Sequence, residues 1–265
     1  MEIKEIFSTA NPLLKTIRLL HDRSGRKKTG LFLLEGLRLI EDALNNELDV
    51  LDIVVSQTYL KNGRLDFPNI DQVEFSVVDD VMFNQLSTTT TPQGILAVAK
   101  MQTSELSEIL YQERILLVVA DMVQDPGNLG TIMRTALAFG ATGAVLTKGT
   151  TDVFSPKVVR AAMGALFAMP VVTDIVFQDL IAELKARSVE IIALDQNAPE
   201  SIWQIDIPEK VALLLGNEGN GLSDEYMKLT DRTVAIPISA RSESLNVATA
   251  AGVALAYISS KRGVN

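Results

Sequence analysis

The sequence predicts an α/β protein: a parallel, doubly wound sheet in the carboxy-terminal part, preceded by a smaller α/β unit. Three observations predict it. Short apolar runs alternate with helix-spaced apolar residues along nearly all of the 265 residues. One of these runs, Ile115-Leu-Leu-Val-Val-Ala120, is apolar without interruption, as in a strand covered on both faces. A polar segment, Gln102 to Glu108, divides the alternation, so residues 1–102 are read as one domain, 103–112 as a linker and 113–265 as a second domain.

In the first domain, Leu13, Leu14, Ile17 and Leu20 recur at helical spacing over Asn11 to Leu20, and a basic turn follows from His21 to Gly30. Leu31 to Leu34 reads as a strand, Gly36 to Leu44 as a helix, and Val50 to Val55 and Val73 to Val78 as strands. Asp79 to Leu86 is a short helix and Ile95 to Ala99 a closing strand. In the second domain the strand Ile115 to Ala120 leads through the loop Asp121 to Gly127 into a helix from Asn128 to Phe139. On a helical wheel Leu129, Ile132, Met133, Ala136 and Leu137 share one arc, while Asn128, Thr131, Arg134 and Thr135 share the other. Ser155-Pro156 opens a helix to Met163, in the pattern of an N-cap followed by proline at the first helical position. Strands are expected at 144–147, 170–173, 190–194, 211–215 and 233–236, with helices at 177–187 and near 223–229. A sheet of this kind binds ligands at the carboxyl ends of its strands. The last apolar run, Leu245 to Ile258, reads as a buried helix with Ser244 as its cap and Asn246 in its first turn.

Composition removes several chemistries. There are no cysteines, which excludes disulfides, zinc-thiolate sites and a cysteine nucleophile. His21 is the only histidine, so no histidine-based triad or metal site can form, and no metal is expected. The amino terminus carries mixed charge and runs into Asn11-Pro12, which is no signal peptide. The longest uncharged run, Ser244 to Ser260, falls short of the roughly 20 apolar residues of a membrane span. A soluble cytoplasmic protein without a membrane partner is expected. The net charge of -9 argues against indiscriminate polyanion binding, yet residues 1–38 hold eight cations against four anions, a local excess of +4. The stretch around Arg23, Arg26, Lys27 and Lys28 reads either as a solvated turn or as a phosphate-binding patch.

The usual nucleotide-binding signatures are missing: there is neither G-x-x-x-x-G-K-[ST] nor G-x-G-x-x-G after a strand. Gly216-Asn-Glu-Gly-Asn-Gly221 does follow a strand, and such a loop exposes backbone groups to a flat ligand. Three polar segments thus fall at comparable places in the sheet: Asn128 with Arg134, Gly216 to Leu222 with Glu218, and Ile236 to Val247 with Ser244 and Asn246. Each alone has an ordinary explanation as a cap, a solvated turn or a buried polar group. Their occurrence together, in order, is more specific.

These segments identify a resemblance. Gln124-Asp-Pro-Gly-Asn-Leu-Gly-Thr-Ile-Met-Arg-Thr-Ala136, Leu214-Leu-Gly-Asn-Glu-Gly-Asn-Gly-Leu222, and Ile236-Pro-Ile through Ser244-Leu-Asn-Val247 resemble the three motifs of the SpoU/TrmH group of SPOUT-class RNA ribose 2'-O-methyltransferases. Arg26-Lys-Lys-Thr-Gly-Leu-Phe-Leu-Leu-Glu-Gly36 is similar to the L30e-like amino-terminal substrate-binding domain of the ribosomal-RNA branch. The resemblance implies a carboxy-terminal domain with a deep trefoil knot, a homodimer, and S-adenosyl-L-methionine bound by Gly216, Asn217, Glu218, Ile236, Ser244, Leu245 and Asn246. It implies a catalytic set of Arg134, Asn128, Glu218, Ser244 and Asn246, and RNA contact by Arg23, Arg26, Lys27 and Lys28. Arg134 cannot readily act as a base, because guanidinium stays protonated. It would hold a phosphate and stabilise alkoxide charge, with the proton leaving to phosphate, water or Glu218. Ala240 departs from the family, which commonly has glycine there.

The function expected is therefore 2'-O-ribose methylation of structured RNA, ribosomal RNA favoured over transfer RNA. The alternatives are a transfer-RNA methyltransferase, an RNA-binding homologue that has lost catalysis, and a methyltransferase acting on protein or small molecules.

Overall fold

The computed structural model describes residues 3–65, 67, 70 and 73–263, and the chain divides into two compact units, 1–102 with 152–167, and 103–151 with 168–265. The first unit begins with β1 (Ile3–Glu5), then α1 (Pro12–Leu19) and α2 (Arg23–Thr29). Asn11 starts α1 by accepting the Leu13 amide, with Pro12 at the first position, where its missing N–H costs nothing. There follow β2 (Leu31–Glu35), α3 (Leu37–Asn45), β3 (Val50–Ser56), α4 (Gln57–Asn62), β4 (Glu74–Val78), α5 (Asp80–Leu86) and β5 (Ile95–Lys100). The sheet order is β1-β4-β3-β5-β2, parallel around β4 and antiparallel at β5. Its core includes Leu14, Ile17, Leu20, Val54, Phe83 and Leu96. Glu35, at the end of β2, is nearly buried and accepts hydrogen bonds from the Ser87, Thr88 and Thr89 hydroxyls and the Thr88 amide, anchoring the loop after α5.

The second unit begins earlier than the expected linker allows. Within 103–112 lies a helix, α6 (Leu106–Leu110), whose Leu106, Ile109 and Leu110 are buried in the same core as Leu117 and Leu214. Three apolar residues among polar ones sufficed to dock it. β6 (Ile115–Ala120) is buried at every position, as its uninterrupted apolar sequence predicts. α7 (Pro126–Ala138) starts two residues before the expected Asn128, because Asp125 caps it by accepting the Asn128 amide and Pro126 takes the first position. Leu129, Ile132, Met133 and Ala136 are buried; Leu137, expected on the same arc, is 37% exposed at its edge.

After β7 (Gly143–Thr147) comes α8 (Pro156–Ala162), which packs on β2. Chain order puts this stretch in the second domain, yet 152–167 belongs with the first unit. After α9 (Ala165–Ala168) the chain continues through β8 (Val171–Ile175), α10 (Phe177–Ala186), β9 (Glu190–Leu194), the short β10 (Glu200–Ser201), β11 (Lys210–Leu215), α11 (Asp224–Met227), β12 (Arg232–Ala235) and α12 (Val247–Lys261). The seven strands, ordered β10-β12-β9-β11-β6-β7-β8, are all parallel. Among the described residues no helix is long and apolar enough to cross a membrane.

Candidate functional site

The carboxyl ends of β6, β11 and β12 open into the three polar segments singled out by sequence. The β11 loop folds back on itself: Asn217 and Gly221 exchange backbone hydrogen bonds of 3.1 and 2.9 Å, and Asn217 Oδ1 accepts the Gly219 and Asn220 amides. Gly216 is required for this hairpin, since a Cβ there would lie 2.4 Å from the Gly221 carbonyl carbon. Gly221 takes φ 64°, which only glycine adopts freely.

Glu218 at the tip of the loop reaches the start of α7. Its Oε1 accepts the Asp125 amide (2.9 Å) and the Asn128 Nδ2 (3.1 Å), and its Oε2 accepts the Gln124 amide (3.1 Å). Asn128 Oδ1 in turn accepts Asn246 Nδ2 at 2.9 Å. Asn246 Oδ1 accepts the Ala248 and Thr249 amides and so caps α12. One continuous chain of hydrogen bonds, Glu218 to Asn128 to Asn246, therefore joins all three segments. Each amide has one orientation that satisfies both neighbours.

The expectation that Ser244 caps the last helix is corrected by this arrangement. Asn246 is the cap and precedes the helix, while Ser244 lies exposed in the loop before it, where its carbonyl accepts the Ser242 hydroxyl. Both residue types cap well. The pairing with Asn128, 118 residues away in sequence, goes with the choice of Asn246. Ala240 is not among the residues with left-handed backbone, so its Cβ brings no backbone strain.

Burial would raise the Glu218 carboxyl, but the hydrogen bonds from the Asp125 and Gln124 amides and the Asn128 side chain outweigh it, and the group sits below the ordinary glutamate range. A carboxylate so held is a weak proton acceptor.

Beside this network a cleft of about 370 Å³ is lined by Gly216, Asn217, Glu218, Ile236, Ser244 and Leu245, six of the seven residues expected at the cofactor. The seventh, Asn246, stands next to it through the Asn128 bond. Asp195, Gln196 and Asn197 after β9, and Glu243, also line the cleft and were missed. For Asp195 to Asn197 the available signal was their position after the strand next to β11 in a parallel sheet; Glu243 falls inside the third polar segment itself. A larger depression of about 920 Å³ on the first unit is lined by residues such as Arg38, Glu41 and Gln93 and holds none of the expected residues.

Arg134 is exposed on α7, six residues and about 9 Å of helix rise beyond Asn128, without a hydrogen bond or ion pair among the described residues. On the first unit the four expected RNA contacts separate. Arg23, Lys27 and Lys28 are exposed on α2, a helix where a turn was expected. Arg26 is 3% exposed: its Nε and one terminal nitrogen hold Asp152 Oδ2 at 2.9 and 2.7 Å, and the other terminal nitrogen donates to the Leu20 and His21 carbonyls. It holds the helix in place and is not available to RNA.

The chain is also similar to known proteins along nearly its whole length. A profile of the SpoU rRNA Methylase family matches residues 115–256, and one of the MRM3-like substrate binding domain matches residues 11–97. The chain is similar to the Bacillus subtilis 23S rRNA (guanosine(2553)-2'-O)-methyltransferase RlmP, 36% identical over 258 residues that cover 97% of this chain and 99% of the relative. An AdoMet-bound rRNA methyltransferase from Sinorhizobium meliloti superposes with a TM-score of 0.86 at 32% identity, covering 99% of each chain. The SpoU methyltransferase AviRb from Streptomyces viridochromogenes, in complex with AdoMet, gives 0.84 at 28% identity and covers 96% of this chain and 99% of its own.

Proposed function

We infer, because the chain belongs to the SpoU rRNA Methylase family, that it methylates a ribose 2'-hydroxyl of structured RNA from S-adenosyl-L-methionine, with 23S-type ribosomal RNA as its substrate. The single observation that carries the reading is the Glu218–Asn128–Asn246 chain, which gathers three separate motifs beside a glycine-walled cleft. The cleft suits this cofactor. Gly216 leaves no room for a side chain where the loop doubles back, and the carboxylates of Asp195 and Glu243 match a ligand with ammonium and sulfonium charge.

Gly216, Asn217, Glu218, Ile236, Ser244, Leu245 and Asn246 would hold the cofactor, with Asp195 to Asn197 completing the wall. When bound, it supplies an electrophilic methyl group. Arg134, permanently charged and with no partner among the described residues, binds the phosphate beside the target ribose and stabilises charge developing on the 2'-oxygen. Glu218 is already occupied at both oxygens and depressed in pKa, so it orders the loop, and the hydroxyl proton leaves to water or phosphate. Arg23, Lys27 and Lys28 meet RNA phosphates on the first unit through the salt-dependent term of such binding. The chain acts as a cytoplasmic homodimer whose carboxy-terminal domain is threaded as a trefoil knot.

Incubating the chain with ribosomal RNA and methyl-labelled cofactor, then mapping ribose methylation, tests the reading. Cofactor-dependent label at a 2'-oxygen of 23S-type RNA is expected. Tight RNA binding without any methyl transfer would overturn it in favour of a non-catalytic homologue.

A further inference from the structure

Two buried polar groups of the second unit take no part in the chemistry just described. Asp121, immediately after β6, is 4% exposed, and Thr147, at the end of β7, is 2% exposed. Thr147 Oγ1 donates to Asp121 Oδ1 at 2.6 Å and accepts the Met122 amide at 3.3 Å. The hydroxyl is therefore a relay, filled on both sides, between the wholly apolar β6 and the apolar run that precedes it in β7.

What the relay holds is unusual. Met122 has φ 52°, a left-handed conformation that a side chain with a Cβ adopts at a cost. Met122 is 48% exposed, with its side chain near Gly149, so burial of the methionine does not explain the conformation. The turned carbonyl does. Met122 O accepts Asn217 Nδ2 at 2.9 Å and Gln124 Nε2 at 2.9 Å, and Gln124 Nε2 also reaches the Gly149 carbonyl. The amides two and three residues on, those of Gln124 and Asp125, are the ones that donate to Glu218. The glycine loop and the entrance to α7 are thus tied together twice, once through the Met122 carbonyl and once through Glu218.

We propose that Asp121 and Thr147 are positioning residues for methyl transfer: by fixing Met122 in its left-handed turn they lock the glycine loop onto the start of α7 and so set Asn128 and Arg134 relative to the cleft. This rests on the function proposed above and extends it to residues that touch neither RNA nor cofactor. Serine at 147 keeps a hydroxyl that both donates and accepts; valine keeps the shape and does neither.

The test compares Thr147→Val, Thr147→Ser and Asp121→Asn with the wild-type chain in two measurements: backbone amide exchange at Gln124 and Asp125, and single-turnover transfer to ribosomal RNA at saturating cofactor. Thr147→Val is expected to speed exchange at those two amides at least about tenfold and to slow transfer by about ten- to a hundredfold, with Thr147→Ser within about threefold of wild type in both. Asp121→Asn should fall between them, because an amide oxygen still accepts the hydroxyl. Wild-type exchange and rate in Thr147→Val, or equal losses in the valine and serine variants, would overturn the proposal. Absence of transfer by the wild-type chain would instead refute the RNA reading and leave amide exchange to decide the positioning role.

Discussion

Replacing Asn246 with alanine removes two different kinds of bond, one that caps a helix and one that bridges two motifs. The side-chain oxygen caps α12 through the Ala248 and Thr249 amides, and loss of such a cap costs about 1 kcal/mol. The side-chain nitrogen donates to Asn128, a bond worth about another 1 kcal/mol. Asn246→Ala should therefore destabilise the second unit by about 2 kcal/mol. Asn246→Ser keeps a capping oxygen but loses the donor to Asn128, and should cost about 1 kcal/mol. Urea unfolding followed by Trp203 fluorescence reads this directly. Trp203 is the only tryptophan, and its ring packs edge-on against Tyr257 of α12 at 5.1 Å. Equal destabilisation by alanine and serine would refute the division into cap and bridge, and with it the claim that Asn246 is the start of the helix.

Three further outcomes are expected. Gly216→Ala forces a Cβ against the Gly221 backbone, so calorimetry should show cofactor affinity at least about tenfold weaker; unchanged affinity would detach the cleft from the cofactor. Arg26→Ala leaves Asp152 uncompensated and should cost the first unit about 3–5 kcal/mol in a thermal melt, whereas Lys28→Glu should leave stability within about 0.5 kcal/mol and weaken RNA binding. Burial would raise the Glu35 carboxyl, but hydrogen bonds from Ser87, Thr88 and Thr89 outweigh it and hold the group below the ordinary glutamate value. Its stabilisation is thus complete above about pH 4.3 and is lost as the pH falls through the depressed value, so Glu35→Gln should flatten the acid limb of a urea-midpoint profile below that pH.

Where burial is set by local pattern, the fold was legible. Ile115 to Ala120 reads as a central strand because both its faces are covered, and the parallel sheet follows from a series of such runs. The site was legible as three motifs but not as a connected object, since Glu218 to Asn128 and Asn128 to Asn246 span 90 and 118 residues. α2 was invisible for a related reason: Arg23 to Thr29 has no apolar period, and its helix is held by Arg26 reaching Asp152, 126 residues on. The same distant pair helps fix 152–167 to the first unit, against the reading from chain order. Met122 gives no sign of its left-handed turn, because methionine carries none of the residue signals for that conformation.

Arg134 is proposed to act on RNA from the rim of the network without contributing to the cofactor cleft. The most direct measurement is single-turnover methyl transfer by wild-type and Arg134→Ala chains at saturating cofactor and RNA, with cofactor affinity measured by calorimetry on the same preparations. A rate reduced by about a hundredfold or more, with affinity within about twofold of wild type, is predicted. An unchanged rate, or a collapse of cofactor affinity in its place, would contradict it.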